Sequence, residues 1–134
     1  VTYHFPKGYD KSQNLIIDPT VVFSTYTGST ADNWGFAATY DNLGNFYAGG
    51  AVDASSGAYI TTNGAFQVTF QGGGTGGGNG TNFSPDMAIT KFNAAGSALI
   101  YSTYIGGSDN DQPHSMIVDR SGNVVIAGRT YSKN

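Results

Sequence analysis

The chain has 134 residues, a formal net charge of −3, and charged side chains at only 11 % of positions. Its six Lys and Arg are scattered, which excludes the clustered positive patch of a nucleic-acid surface. Cys is absent, excluding disulfides, thiolate chemistry and Cys-based zinc sites, and no apolar run approaches the roughly 20 residues of a membrane-spanning helix.

Every acid is Asp, Gly occurs twenty times, and aromatic residues make up 13 %. Helix formers are scarce while β-formers and turn formers abound, so the expected fold is all-β, with short antiparallel strands, tight turns and almost no helix. In chain order, residues 1–19 are expected to close an upstream β domain and hand over to the first repeat, with strands over 1–5 and 14–17. No initiator Met or basic-then-apolar leader opens the chain, which reads as an excerpt of a longer protein. Residues 20–52 form a first, partial repeat. Residues 53–85 are a long connection carrying a glycine-rich tract that can bury little, although the apolar residues of 59–70 can pack back. Residues 86–130 are expected to form four antiparallel strands of one blade, and 131–134 start the next link.

The organising feature is an internal repeat. A shift of 78 positions superposes residues 23–50 on 101–128 without a gap, giving eight identities. They include Ser24-Thr25-Tyr26 on Ser102-Thr103-Tyr104, and Gly28, Asp41, Gly44, Asn45 and Gly50 on Gly106, Asp119, Gly122, Asn123 and Gly128. Asp41, Gly44 and Asn45, and likewise Asp119, Gly122 and Asn123, have the form of a turn in which Asp accepts from following amides and Gly takes positive φ. The flanking runs Met116-Ile117-Val118 and Val124-Val125-Ile126-Ala127 suggest strands buried on both faces. The two Ser-Thr-Tyr blocks are expected on strands ending at Gly28 and at Gly106-Gly107.

These blocks resemble the SBBP repeat, a family named for a seven-bladed β-propeller and found in exported bacterial proteins. The residues that carry the resemblance are Asp86 through Asn93, Ala95-Gly96-Ser97, Ile100 through Ser108, and Val118 through Val124. The Thr61-Thr62-Asn63-Gly64-Ala65-Phe66-Gln67 link belongs to the same pattern. The first repeat departs from it, with Thr27-Gly28-Ser29 in place of an apolar residue and two glycines. The resemblance implies antiparallel four-stranded blades of a β-propeller-type repeat, an exported or cell-surface protein, and a cargo route such as type IX secretion.

Candidate functional residues lie in the loops after the glycine turns. Asp32, Asn33 and Trp34 align one period before Asn110, Asp111 and Gln112, and Asp109 and His114 complete the second set. Alternating oxygen ligands at Asp109 and Asp111 would suit Ca²⁺, whereas Asx-turn hydrogen bonding is the plain alternative. No other metal and no cofactor is expected. Gly72, Gly74 and Gly77 match Gly-x-Gly-x-x-Gly without the βαβ unit that a dinucleotide site needs. The sequons at Asn79 and Asn82 fit the composition of an Asn- and Thr-rich loop. His4 and His114 lie in different segments, with no spacing for a triad or metal pair, so the chain is expected not to be an enzyme. Its expected action is as scaffold, adhesive or interaction module, with further blades and neighbouring domains, cell-surface or secretion-system proteins, or glycans as partners. The alternative is a carbohydrate-binding or polysaccharide-processing propeller, for which Trp34 and the strand aromatics offer stacking surfaces.

Overall fold

The computed structural model describes residues 4–15, 21, 23–73 and 83–133. Among these there are six strands and no helix: β1 (Asp32–Tyr40), β2 (Phe46–Asp53), β3 (Asp86–Phe92), β4 (Leu99–Ile105), β5 (Asp111–Val118) and β6 (Val124–Thr130). The expected all-β, antiparallel, propeller-type class holds.

Turn chemistry builds the hairpins. In the β1–β2 turn, Asp41 Oδ1 accepts from the amides of Leu43 (3.0 Å) and Asn45 (2.9 Å), and Oδ2 accepts from Asn45 Nδ2 (2.9 Å). Asp119 repeats all three bonds with Ser121 and Asn123 at 2.8 to 2.9 Å. Gly44 and Gly122 take φ of +77° and +86°, as the left-handed position of each turn requires. A third version joins β3 to β4, where Asn93 Oδ1 accepts from Ser97 and Ala98 and Gly96 has φ +67°.

The strands group differently from the expectation. Hydrogen bonding makes one four-stranded sheet in the order β1-β2-β3-β4, and a separate two-stranded sheet of β5 and β6. The blade is therefore cut between β4 and β5, not before β3, and residues 86–130 do not share one sheet. Residues 54–85 connect two neighbouring strands of the same blade, because β2 pairs with β3 from Phe46↔Phe92 to Val52↔Asp86. Gly106-Gly107 turns β5 out of the plane, and the Asp111 amide donates to Pro85 O (2.8 Å) instead of continuing the β4 ladder.

The two faces of the sheet have different cover. On one, Met116 of β5 packs with Tyr47 and Ile89, and Val118, Val124 and Ile126 lie around them. On the other, Ala31, Val52, Ala88 and Tyr104 pack with Tyr59, and Phe70 joins from the connection. The connection also runs along the outer edge of β4. The Thr62 amide donates to Ser102 O (3.0 Å), and the Tyr104 amide donates to Gln67 O (3.0 Å), so backbone groups that an edge strand would present are partly paired. Of the apolar residues of 59–70, Tyr59 and Phe70 thus pack back, whereas Ile60, Phe66 and Val68 stay exposed at 44, 79 and 58 %.

Three further expectations need correction. The β5–β6 hairpin is buried on one face only, since Ile117 and Val125 are 56 % and 50 % exposed. The 23–28 block forms no strand, and Tyr26 is 96 % exposed. Its later counterpart in β4 pairs with β3, whereas residues 8–14, one period before β3, form turns with no ladder to offer. Phe23 packs edge-on against Phe46 instead, with ring centroids 5.7 Å apart. In the first segment, 4–5 and 14–15 lie in no strand, and the rest of the strands expected over 1–5 and 14–17 lies outside the described residues. So do Pro19, the first sequon and Asn82 of the second, and the glycine tract from 74 onward.

Candidate functional site

The aligned loops lead into strands that share an irregularity. In β1 the register against β2 shifts between Gly35 and Ala37, and in β5 the register against β6 shifts between Pro113 and Ser115. The extra residues, Phe36 and His114, are one period apart, and both are exposed. Such bulges bend a strand and re-aim its side chains. They also account for two glycines of the repeat. A Cβ on Gly50 would lie 2.3 Å from the Trp34 carbonyl oxygen, and one on Gly128 would lie 2.2 Å from that of Gln112. The bulge pushes the preceding carbonyl into the space that a side chain on the partner strand would occupy.

The structure treats the two loops unequally. Asp32, Asn33 and Trp34 are exposed, and Asn33 Nδ2 donates back to Ala31 O (2.6 Å) and Ser29 Oγ (3.1 Å). Asn110 and Asp111 are buried, at 6 % and 1 % exposure. Asp109 is half-buried, and its Oδ1 accepts from the next amide, that of Asn110 (2.8 Å). His114 is exposed on the bulge. Among the described residues no three His or Asp side chains come together to hold a metal.

Trp34 leads to an aromatic cleft. Its ring meets Phe83 edge-on at 4.9 Å, and Trp34, Phe36, Phe83, Ala51 and Gln112 line a cleft of about 420 Å³ between the sheet and the β5–β6 hairpin. Gln112 is held there by Arg129 Nη2, which donates to its Oε1 (2.9 Å). The alignment of Trp34 with Gln112 hid the fact that they face each other across one cleft.

The group that sequence reasoning missed is Asp86. It heads β3, is 0 % exposed, and lies beside Asp111 at the β4–β5 crossing. Its Oδ2 accepts from Gln67 Nε2 (3.0 Å) and the Gln71 amide (2.9 Å). Asp111 Oδ2 accepts from the Gly107 amide and Ser132 Oγ, both at 2.8 Å. Gln67 ties the group together, since its Oε1 accepts from the Gly106 amide (3.0 Å). Burial pushes the Asp86 carboxyl up to about 6, and the Asp111 charge adds to the rise against the donors around Asp86. An Asp placed directly before the apolar run of β3 was the available signal, because a carboxylate at a buried strand end needs partners.

This fold, antiparallel hairpins stacked face to face with a repeated turn and a repeated bulge, defines a β-propeller-type repeat module. The family SBBP, described as a beta-propeller repeat, matches residues 100–134. That stretch covers β5, β6, most of β4 and the buried Asp111, all on the second copy of the repeat. No curated protein and no solved structure matches the chain.

Proposed function

We propose that the chain is a non-catalytic propeller-repeat segment of a large secreted or cell-surface bacterial protein, acting as scaffold, adhesive or interaction module. One observation carries this reading. The second repeat buries Met116 and half-buries Val118, Val124 and Ile126 against the blade before it. The aligned residues of the first repeat are Ala38, Tyr40, Phe46 and Ala48. Ala38, Phe46 and Ala48 line an open groove of about 400 Å³, and Tyr40 is 76 % exposed. Ile117 and Val125 leave a matching open face at the other end of the stack. Both faces suit further blades presenting what Tyr47, Gly49 and Ile89 present to Met116, which makes the remaining blades the first partners. Export to the surface, by a route such as type IX secretion, rests on the resemblance to exported repeat proteins.

A second reading, carbohydrate binding, is favoured by the Trp34, Phe36 and Phe83 cleft, because exposed rings beside amide side chains suit sugar stacking. A glycan array and a polysaccharide-cleavage screen on the whole chain separate the readings. The scaffold reading expects neither binding nor cleavage. Specific glycan binding lost on Trp34→Ala would replace it with the second reading, and cleavage abolished by changing Asp32, Asp109 or Asp111 would overturn both.

A further inference from the structure

We propose that Asp86 and Asp111 form a buried binding site for a hard divalent cation, Ca²⁺ foremost, at the junction between the four-stranded sheet and the β5–β6 hairpin. The carboxylates converge on Gly106. A Cβ there would lie 2.4 Å from Asp86 Oδ1 and 2.9 Å from Asp111 Oδ2, so only glycine leaves this space open. Both residues are more than nine-tenths buried.

The hydrogen bonding is lopsided in the same way on both acids. Each offers Oδ2 to two donors, Gln67 Nε2 and the Gln71 amide for Asp86, the Gly107 amide and Ser132 Oγ for Asp111. Each leaves Oδ1 buried with no partner, and Asn110 Oδ1 is the third buried oxygen in that condition. All three bare atoms are acceptors. Buried polar atoms are almost always satisfied, and a buried carboxylate without a counter-charge is costly.

No side-chain cation among the described residues pairs with either acid, and Lys7, Lys11, Arg120 and Lys133 are exposed. Among the described residues Lys91 pairs with Asp41 (3.1 Å), Arg129 is bound to Gln112, and both His4 and His114 are exposed. The donors occupy the Oδ2 atoms and leave the Oδ1 atoms bare, and bare hard oxygens are what Ca²⁺ takes as ligands. Ca²⁺ sites commonly add amide and carbonyl oxygens and water to a pair of carboxylates, so two acids suffice. The site would tie the head of β3 to the start of β5, and so one blade to the next.

The test is calorimetric titration of the 134-residue chain with CaCl₂ and MgCl₂, together with thermal unfolding in CaCl₂ and in EDTA. Expected are one Ca²⁺ per chain and a melting temperature higher by about 5 °C near saturation. Both effects should vanish in Asp86→Asn and Asp111→Asn and persist in Asp109→Asn. Loss of binding in Asp109→Asn with retention in Asp86→Asn would move the ion to the loop around Asp109 and overturn the proposal. Absence of binding heat and of any CaCl₂ effect in the unsubstituted chain would overturn it as well. If either Asn variant fails to fold, the unsubstituted chain and Asp109→Asn still decide the question.

Discussion

The packing of one blade on the next is tested by a double-mutant cycle at Gly49 and Met116. A Cβ on Gly49 would lie 3.3 Å from Ile89 Cδ1, 3.4 Å from Met116 Cε and 3.5 Å from Met116 Sδ. Gly49 does not have positive φ, so alanine there carries no backbone strain, and it would gain about 0.4 to 1 kcal/mol from a stiffer unfolded chain. In the native protein that gain is opposed by crowding, which typically costs about 1 to 3 kcal/mol, so Gly49→Ala alone should destabilise by about 1 kcal/mol. Met116 is 5 % exposed, and Met116→Ala should cost about 3 kcal/mol through lost burial and the cavity left behind.

Combining the two changes the sign of the first. With Met116 truncated, the new methyl group enters space the thioether has left and meets only Ile89 closely. Gly49→Ala should then stabilise by about 1 kcal/mol, so the two substitutions couple by about 2 kcal/mol. Urea denaturation of the four proteins measures the coupling, and amide exchange reports whether β5 and β6 loosen in Met116→Ala. Additivity to within about 0.5 kcal/mol would mean that Met116 does not seat on Gly49, and the face-to-face arrangement of the two sheets would be refuted.

Gly122 has φ +86° and nothing within 4 Å of a built Cβ, so Gly122→Val should cost at least about 1 kcal/mol through backbone strain alone, with Gly122→Asn milder; an unchanged midpoint in urea would contradict the turn assignment. In cation-free buffer, the raised carboxyl of Asp86 makes its contribution to stability greatest below about pH 4 and lost as pH rises through about 6. From an ordinary 3.8 that amounts to at most about 3 kcal/mol, and Asp86→Asn should abolish the decline between pH 4 and 6 in a stability-versus-pH series. Asp41 and Asp119 act with the opposite sign: bonds from Asn45 and Asn123 hold their carboxyls below the ordinary range, so their support is present above pH 4 and fades in acid. Trp34 is the only tryptophan and is shielded on one side by Phe83, so Phe83→Ala should red-shift its emission and raise its acrylamide quenching, and an unchanged spectrum would argue against the cleft.

Local chemistry was the legible part. Asp41-Asn42-Leu43-Gly44-Asn45 specifies a turn because an Asx acceptor and a residue free to take positive φ stand at fixed offsets, and no distant contact is needed to close it. The β1–β2 and β5–β6 hairpins form where those residues predicted. The partner of each hairpin was less legible, because an apolar run shows that a strand is buried without showing what buries it. Val125 and Tyr47 occupy equivalent positions, yet one is half exposed and the other is 4 % exposed, since Tyr47 alone has a hairpin laid over it. The acid pair was hidden for the same reason: Asp86 and Asp111 are distant in sequence and meet only because β4 ends just before Gly106 and β5 starts a separate sheet.

The period takes its meaning from that cut. The 78-residue spacing runs from β1 to β5 and from β2 to β6, so it spans one whole blade with its connection inside. Residues 54–85 are consequently not a spacer between blades. They leave β2, cover one face with Tyr59 and Phe70, pair along the outer edge of β4, and deliver Gln67 and Asp86 to the crossing where the next blade starts. A connection that closes its own blade and supplies the joint to its neighbour ties each repeat's stability to its successor, as expected of stacked repeat architectures. Removing Gln67 should therefore loosen β5 and β6, read by their amide exchange, although neither strand contains it.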